Sequence, residues 1–272
     1  MALTDFQRAV CRLLADQRIA SGESYVAGGV ALNEVMGTTR TSRDIDLFHD
    51  TESALNASWT VDRRLLQASG YEVRIVRERP SFIEAEIAER GQSVLVEWTR
   101  DSAYRFFPLL RHPDLGLVLH PFDLATNKVL ALVGRLEVRD WVDLIHAGER
   151  IQPLGYLAWA ACGKDPGWSP LAILEEAART ARYSADEVRA LAFAGEPPDP
   201  AHLSRRWRAM LAEAREITGA LPSAELCRAV LDEKGHLYRG SAHELRLALA
   251  SERLVFHAGR IRGALPQLKT RD

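Results

Sequence analysis

The chain has 272 residues, of which 47% are hydrophobic and 26% charged, and its formal net charge is −2. These values exclude a disordered or fibrous chain and leave room for one large or two modest folded domains. The near-neutral balance argues against a protein that binds nucleic acid over its whole surface. The three cysteines are widely spaced and show no metal-binding pattern, which is typical of a reducing compartment.

The first predicted element is a helix that follows Thr4, a residue type that caps helix N-termini, and continues to about Gln17. Charged residues recur along it, so it does not have the pattern of a secretion signal. No uncharged apolar run in the sequence is long enough to span a membrane. We therefore expect a cytoplasmic protein without membrane contact.

A short strand, a glycine pair and a helix are predicted over residues 24–37. Gly28 and Gly29 interrupt the β-prone residues before them, and the helix formers after them end at Gly37. A glycine turn that opens a helix leaves backbone N–H groups available to phosphate oxygens. This part of the chain is therefore a candidate phosphate-binding turn.

The next predicted strand carries two acidic residues on one face. Asp44 and Asp46 alternate with apolar residues, and side chains two apart on a strand point in the same direction. Adjacent carboxylates repel each other unless a cation lies between them, and Mg²⁺ commonly binds one or two carboxylates together with substrate phosphates. A D-x-D pattern alone is most often a solvated strand end, but its position after the glycine turn and helix favours a metal site.

A helix and three consecutive strands are predicted next. The helix begins after a Thr60 cap and ends at Gly70, and a tight turn at Arg90-Gly91 joins the last two strands. The strands are Tyr71–Val76, Phe82–Ala88 and Ser93–Thr99. The last strand alternates regularly and carries Glu97 where a central strand would otherwise be apolar.

A short edge strand is predicted at Leu117–His120, and two helices follow, from Asp123 to about Gly134 and from about Arg139 to Ala147. Lys128 lies among apolar residues of the first helix, where a partly desolvated ammonium group needs an anionic partner. A nucleoside triphosphate is such a partner, whereas an ion pair that only braces the two helices is the alternative. For Arg139 and Asp140 we favour this bracing role.

Beyond residue 120 the sequence shows only helical patterns, so we predict a helical C-terminal region without strands. The predicted helices include His202–Thr218, Ala224–Lys234 and Ser241–Arg262. Serine caps are expected at Ser169, Ser184 and Ser241.

Basic residues are concentrated near the C-terminal end of the sequence. Residues 201–272 carry more Lys and Arg than Asp and Glu, whereas residues 1–200 are net acidic. Arg246, Arg253 and Arg260 recur every seven residues, which places them near one face of the predicted helix. This face is a candidate binding surface for RNA phosphates, with a solvated surface as an equally weighted alternative.

Two motifs resemble known families. The glycine pair followed by R-x-S-x-D-x-D, from Arg40 to Asp46, resembles the nucleotidyltransferase superfamily that includes polymerase β. The later pattern K-x-x-A-L-x-x-R-x-x-x-R-D-x-x-D-L, from Lys128 to Leu144, is similar to the motif of AbiEii/AbiGii toxin-family nucleotidyltransferases. The resemblance implies an α/β (α+β) fold with a small mixed sheet, as a nucleotidyltransferase domain over residues 1–150 and a helical domain over 151–272.

The resemblance also implies the site residues. A third carboxylate from a neighbouring strand is expected, and Glu97 is the candidate, with Asp101 in reserve and Glu84 or Glu86 ranked lower. The predicted catalytic residues are Asp44, Asp46, Glu97, Lys128 and Asp143. The predicted metal ligands are Asp44, Asp46 and Glu97, for a two-ion Mg²⁺ site. The predicted nucleotide-binding residues are Gly28, Gly29, Arg40, Ser42, Arg43 and Lys128.

The implied reaction is transfer of a nucleoside monophosphate from an NTP to a hydroxyl group. In the family this acceptor can be the 3′ end of tRNA, and members are toxins with a cognate antitoxin protein. The alternatives are a nucleotidyltransferase that modifies a small molecule or a protein, a glycosyltransferase that uses D-x-D, and a non-catalytic nucleotide-binding relative. The glycine pair with R-x-S upstream fits a glycosyltransferase poorly.

Overall fold

The structure is a computed structural model that describes residues 3–179 and 183–268, and these form two compact units. The first unit contains the described residues up to 103, residues 109–120 and residues 192–195. The remaining described residues form the second unit. The units therefore divide near residue 120. The boundaries of the two functional domains, 1–150 and 151–272, stay a prediction, because the division into compact units does not show which residues carry an activity.

The described residues form ten α-helices and eleven strands. The helices are α1 Asp5–Ser21, α2 Gly28–Met36, α3 Glu52–Ala68, α4 Pro121–Arg135, α5 Val138–Arg150, α6 Leu154–Ala161, α7 Pro170–Ala178, α8 Ala185–Arg189, α9 Pro200–Ala220 and α10 Ala242–Ala250. The strands are β1 Ser24–Ala27, β2 Asp44–His49, β3 Glu72–Arg79, β4 Phe82–Glu89, β5 Gln92–Arg100, β6 Tyr104–Arg105, β7 Leu110–His112, β8 Gly116–Val118, β9 Arg228–Asp232, β10 Leu254–Ala258 and β11 Arg260–Ile261.

The first unit contains a seven-stranded mixed sheet in the order β3-β4-β5-β2-β1-β8-β7. Strand β2 runs parallel to β5 and antiparallel to β1, and β1 runs parallel to β8. This confirms the predicted mixed sheet. The strand predicted near Leu117–His120 exists as β8, but it is internal, because β7 pairs with its outer side.

Most of the predicted elements of the first unit are confirmed. A capping box at Thr4 begins α1, and Gly37 ends α2 in the left-handed conformation. The three strands after Gly70 form an antiparallel meander, and Arg90-Gly91 joins two of them with both residues at positive φ. That conformation is the one expected of a tight hairpin turn.

The predicted start of α3 is wrong. The helix begins after Thr51, whose hydroxyl oxygen accepts a hydrogen bond from the N–H of Ala54 at 3.1 Å. Thr60 lies inside the helix, where its hydroxyl donates to the carbonyl of Asn56 at 2.8 Å. Both threonines are of a residue type that caps helices. Leu55 and Trp59, which precede Thr60, are buried, and their burial stabilises the turns before Thr60, so the helix begins at the earlier threonine.

Two buried tryptophans anchor helix α3 to the sheet. The rings of Trp59 and Trp98 meet edge to face with centroids 4.7 Å apart. The indole N–H of Trp98 donates to the carboxylate of Asp62 at 2.9 Å. Burial raises the pKa of Asp62 above its ordinary value. The alternation of β2 and β5 thus directs apolar side chains to this helix-covered side of the sheet.

His49 is buried on the same side of β2, and its burial predicts a dependence of stability on pH. Desolvation lowers the pKa of its imidazole to about 4. The unfolded chain therefore binds a proton that the folded chain does not, and this difference destabilises the fold as pH falls from about 6.5 towards 4. The total loss is about 3 kcal/mol.

Urea unfolding of the wild type and of His49→Phe, measured between pH 7 and pH 4, checks this expectation. The wild type should lose more free energy of unfolding than the variant over this interval, because phenylalanine cannot take up a proton. If the free energy of unfolding falls equally with pH in the two proteins, His49 is not the group that causes the loss.

The second unit is mainly helical, as predicted, and Ser169, Ser184 and Ser241 cap helices as expected. Its aromatic core includes Trp141 and Trp207, whose ring centroids lie 6.5 Å apart. A second cluster of buried residues joins α6 and α9 to α10 and the adjoining strand β9.

The prediction of a C-terminal region without strands is wrong. The segment expected to be a helix over Ala224–Lys234 forms a short 3-10 helix and then β9. The helix expected over Ser241–Arg262 ends at Ala250, and β10 and β11 follow it. Pairing of β9 with β10 buries residues 229–231, and this long-range contact overrides the local helical pattern.

The predicted arginine stripe is wrong for the same reason. Arg246 lies on α10, Arg253 follows the end of that helix, and Arg260 is in β11. The seven-residue spacing therefore does not place these side chains on one helical face.

Candidate active site

The start of helix α2 lies directly against a carboxylate of strand β2. Gly28 is the first residue of α2 and has φ +64. An ideal Cβ on this glycine would overlap the carboxylate of Asp46. Ala27, the residue before the helix, offers no side-chain cap to the N–H groups of the first turn. The predicted phosphate-binding turn and one predicted metal ligand are thus in contact.

Gly29 is packed against the other two residues of the predicted R-x-S pattern. An ideal Cβ on Gly29 would lie 2.8 Å from the Arg40 guanidinium and 3.1 Å from the hydroxyl of Ser42. Arg40 is 3% exposed, and the carbonyl of Ser42 accepts a hydrogen bond from Gln7 at 2.8 Å. The structure therefore brings both residues to the helix start, whereas Arg43 is exposed.

A distant segment of the sequence supports the loop that carries Arg40. The N–H of Thr41 donates to the carbonyl of Ala192 at 3.0 Å, and Arg40 forms a β-bridge with Phe193. This contact could not be predicted, because residues 192–195 contain one turn-forming residue, Gly195, and nothing in them indicates a pairing partner about 150 residues away in the sequence.

The acidic residues of β2 and β5 lie side by side. Asp44 and Asp46 are half-buried on one face of β2, while Ile45 and Leu47, which alternate with them, are buried on the other face. In the parallel register Asp46 pairs with Glu97, which belongs to the same half-buried set of β5. The structure therefore brings Glu97 next to Asp46, as the predicted third carboxylate requires, and its role as a metal ligand stays a prediction.

The lower-ranked acidic residues are engaged with edge strand β3. Glu84 lies opposite Glu97 in the antiparallel register and contacts Arg77 at 4.0 Å. Glu86 accepts a hydrogen bond from Arg74 at 2.6 Å. A row of charged side chains, which sequence analysis did not foresee, thus crosses four strands. Asp101, the reserve candidate, follows the end of β5 and bonds through its backbone to His49.

The donor chemistry of these residues suits a hard cation. Asp44, Asp46 and Glu97 offer oxygen atoms, which Mg²⁺ prefers. Over the described residues, no three or more His, Cys, Asp or Glu side chains are grouped so as to hold a metal ion by themselves. The oxygen donors of Asp44 and Asp46 suit a cation that takes one or two carboxylates and completes its coordination with phosphate oxygens.

In the second unit, Lys128 is held between two fully buried carboxylates. Its ammonium donates to Asp140 at 2.8 Å and lies 3.3 Å from Asp143. Arg135 also binds Asp140, at 2.7 Å. Although burial opposes ionisation, the hydrogen bonds from Arg135 and Lys128 hold the pKa of Asp140 below its ordinary value. The anionic partner that Lys128 requires is therefore present within the α4–α5 pair.

This geometry confirms that Asp140 locks the two helices together. Arg139 lies against Glu137, and its bracing role stays a prediction. The predicted roles of Lys128 in phosphate binding and of Asp143 in catalysis stay predictions, because both side chains already have partners in the protein.

The contact at Gly28 predicts a large effect of a small substitution. In Gly28→Ala the new methyl group would overlap the Asp46 carboxylate, and a left-handed φ alone costs an alanine about 1–2 kcal/mol. We expect a lower melting temperature and loss of nucleotide binding. Gly219→Ala is the control, since that helical glycine has open space around it and the change should be neutral or slightly stabilising.

Comparison with known families decides the assignment. The sequence model of the family described as nucleotidyl transferase AbiEii toxin, of type IV toxin–antitoxin systems, matches residues 12–230. The chain belongs to the AbiEii nucleotidyltransferase toxin family. It is thus a nucleotidyltransferase, and the glycosyltransferase alternative is set aside. The AbiEii assignment implies an NTP substrate and a cognate antitoxin.

Solved structures share the fold of this AbiEii chain. MenT4, a nucleotidyltransferase toxin from Mycobacterium tuberculosis H37Rv, matches with 19% identity and a TM-score of 0.51, over 90% of this chain and 91% of that chain. JHP933 from Helicobacter pylori matches with 16% identity and a TM-score of 0.50, over 80% of this chain and 95% of that chain. No curated protein sequence matches this AbiEii chain. Among the described residues, none of the helices has the length and apolar character that crossing a membrane requires.

Proposed function

We propose that this chain transfers a nucleoside monophosphate from an NTP to a hydroxyl group of RNA, at the 3′ end of tRNA, in a Mg²⁺-dependent reaction in the cytoplasm. The observation that carries the proposal is the contact of Gly28 with the Asp46 carboxylate at the start of α2. Phosphate oxygens that meet the N–H groups of this turn also meet the carboxylates that suit a divalent cation.

The nucleotide phosphates are assigned to the turn and to the residues packed against it. Ala27, the residue before α2, gives no side-chain cap to the N–H groups at the start of the helix, and these groups would bind an anion through the positive end of the helix. The Ser42 hydroxyl adds a hydrogen bond, and Arg40 adds positive charge beside Gly29. Arg43, which is exposed, keeps its predicted role in balancing the charge of the triphosphate.

The cation is assigned to the carboxylates of the sheet. Asp44 and Asp46 would hold Mg²⁺ together with substrate phosphates, and Glu97 would complete the predicted two-ion site. Bound Mg²⁺ neutralises phosphate charge and lowers the pKa of an attacking hydroxyl group. The protein's own contribution is to keep the carboxylates on one face of the sheet, so that substrate and cation meet in one orientation.

For the second unit, we propose that Lys128 supplies positive charge to the reaction, as the family motif implies. Asp140 and Asp143 would fix the position of its ammonium group, because both carboxylates are fully buried and contact it. Asp143 would then act through Lys128, and its predicted catalytic role is proposed in this form.

The RNA acceptor is proposed from the family, whose members can modify the 3′ end of tRNA. It gains no support from the C-terminal arginines, because the predicted stripe is not formed. A small molecule or a protein would use the same nucleotide site, so the acceptor has to be found by experiment. The antitoxin is proposed as a further partner.

The test uses radiolabelled NTPs with the purified full chain, Mg²⁺ and total RNA. We expect label to enter a tRNA-sized RNA and to disappear when the cation is chelated. Label on protein, or on a small molecule from a cell extract, would assign the acceptor to the alternative. No NTP binding in a calorimetric titration with Mg²⁺ would contradict the nucleotide site itself.

A further inference from the structure

A groove follows the outer edge of strand β10 in the second unit. Its volume is about 450 Å³, and its lining includes the consecutive residues Val255–Arg260. Arg228, Ala264, Leu265 and Gln267 also line it. Side chains of a strand alternate between its faces, so a groove that touches every residue in turn runs along the backbone edge. The other edge of β10 is paired with β9.

The hydrogen bonds of β9 show which backbone groups of β10 face this groove. The carbonyl of Val230 accepts from Tyr238 at 3.0 Å, on the side of β9 away from β10. Residues opposite each other in an antiparallel pair alternate between bonded and non-bonded pairs. Phe256, the partner of Val230, therefore points its N–H and C=O groups away from β9, and so does Ala258 two residues later.

The outward groups of Phe256 and Ala258 have no backbone partner among the described residues. An unpaired strand edge is a template for pairing with another extended chain. The edge is also accessible, because Ala258 is exposed and Leu265, which lines the same groove, is 75% exposed.

The charge of the groove selects the kind of chain that fits. Within the described part of the chain, its lining residues include Arg228 and Arg260 but no aspartate or glutamate. Glu225 holds Arg228 at 2.6 Å, whereas Arg260 is exposed. A segment with an acidic side chain complements Arg260, and an apolar side chain can pack on Leu265.

We propose that the edge of β10 binds an extended, acidic peptide segment of a partner protein, which adds a third strand to the β9–β10 sheet. A nucleic-acid strand fits less well, because the edge alternates N–H donors with carbonyl oxygens that repel phosphate. Strand β10 lies beyond residue 230, where the match to the family ends. None of the residues assigned to the nucleotide site lines this groove, so the proposal is independent of the acceptor.

The probe is a fluorescein-labelled peptide of about six alternating Glu and Val residues, the length of a common strand. The comparison peptide alternates Lys and Val. We expect saturable binding of the acidic peptide to the full chain, measured by anisotropy, and binding of the basic peptide at least about tenfold weaker. Ala258→Pro removes one outward N–H without touching the pairing to β9, and should weaken binding by about tenfold or more.

Arg260→Glu should also weaken binding, whereas Arg246→Glu, a charge reversal on α10 outside the groove, should leave it unchanged. Hydrogen exchange gives a second readout that needs no variant. In the free chain the amides of Phe256 and Ala258 should exchange faster than those of Val255 and His257. The acidic peptide should slow exchange only of the first two.

Several results would overturn the proposal. Equal binding of the basic peptide would remove the charge complementarity, and unaltered binding to folded Ala258→Pro would remove the strand edge. Binding of a short RNA to the groove, without slowed exchange at Phe256 and Ala258, would assign the surface to nucleic acid instead.

Discussion

Asp46→Asn is expected to abolish Mg²⁺-dependent NTP turnover while leaving the fold intact. The carboxylate touches the start of α2 and lies beside Glu97 in the sheet, so it belongs to both the phosphate and the cation parts of the proposed site. A bound metal lowers the free energy of a transition state by several kcal/mol because it stabilises charge. Losing this stabilisation would slow the reaction about a thousandfold. The melting temperature should stay the same or rise, because one of several neighbouring negative charges is removed.

Turnover of radiolabelled NTP and a thermal melt measure the two effects separately. Asp186→Asn is the matched control, since the side chain of that aspartate is 93% exposed and pairs with its helical neighbour Arg189. Full activity of Asp46→Asn would contradict the assignment of the site. A large drop in its melting temperature would show that the carboxylate stabilises the fold.

Lys128→Ala is expected to lower the free energy of unfolding by about 3 kcal/mol. Its ammonium and the Arg135 guanidinium both contact Asp140, and the change removes one of these two contacts from that buried carboxylate. Removing one partner of a buried ion pair commonly costs about 3–5 kcal/mol, and the remaining arginine places the effect at the lower end. Urea unfolding measures this loss, and Lys234→Ala, at an exposed lysine, is the control.

Calorimetric titration with NTP tests the proposed phosphate role of the same residue. Under conditions in which Lys128→Ala is folded, weaker NTP binding would support that role. Lys128→Arg should restore binding only in part, because a guanidinium fork differs from a point charge. Intact NTP affinity with lowered stability would limit Lys128 to holding α4 and α5 together.

The elements around the proposed site could be predicted from the sequence because their signals are local. The period of two in β2 places Asp44 and Asp46 on one face, and the glycine pair marks the start of α2. The alternation of β5 marked Glu97 as an acidic residue in a central strand. Its neighbour in the sheet is set by strand order, and only the structure shows that this neighbour is Asp46.

The C-terminal strands could not be predicted because the stability of a strand depends on its partner. Residues 228–232 and 254–258 have apolar spacings that also suit a helix, and each becomes a strand only by pairing with the other. The same limit explains the contact of residues 192–194 with the loop of Arg40, which joins distant parts of the sequence.

The sequence by itself determined the short elements of the first unit and the faces on which the acidic side chains lie. These features follow from periodicity, glycine conformation and helix caps, which act over a few residues. The mixed sheet was implied only by the resemblance of the motifs to the family. Only the tertiary structure decided that Asp140 and Asp143 hold Lys128, and that the C-terminal arginines share no helical face. Both depend on which distant groups are buried together, because desolvation and strand pairing are settled by long-range contacts.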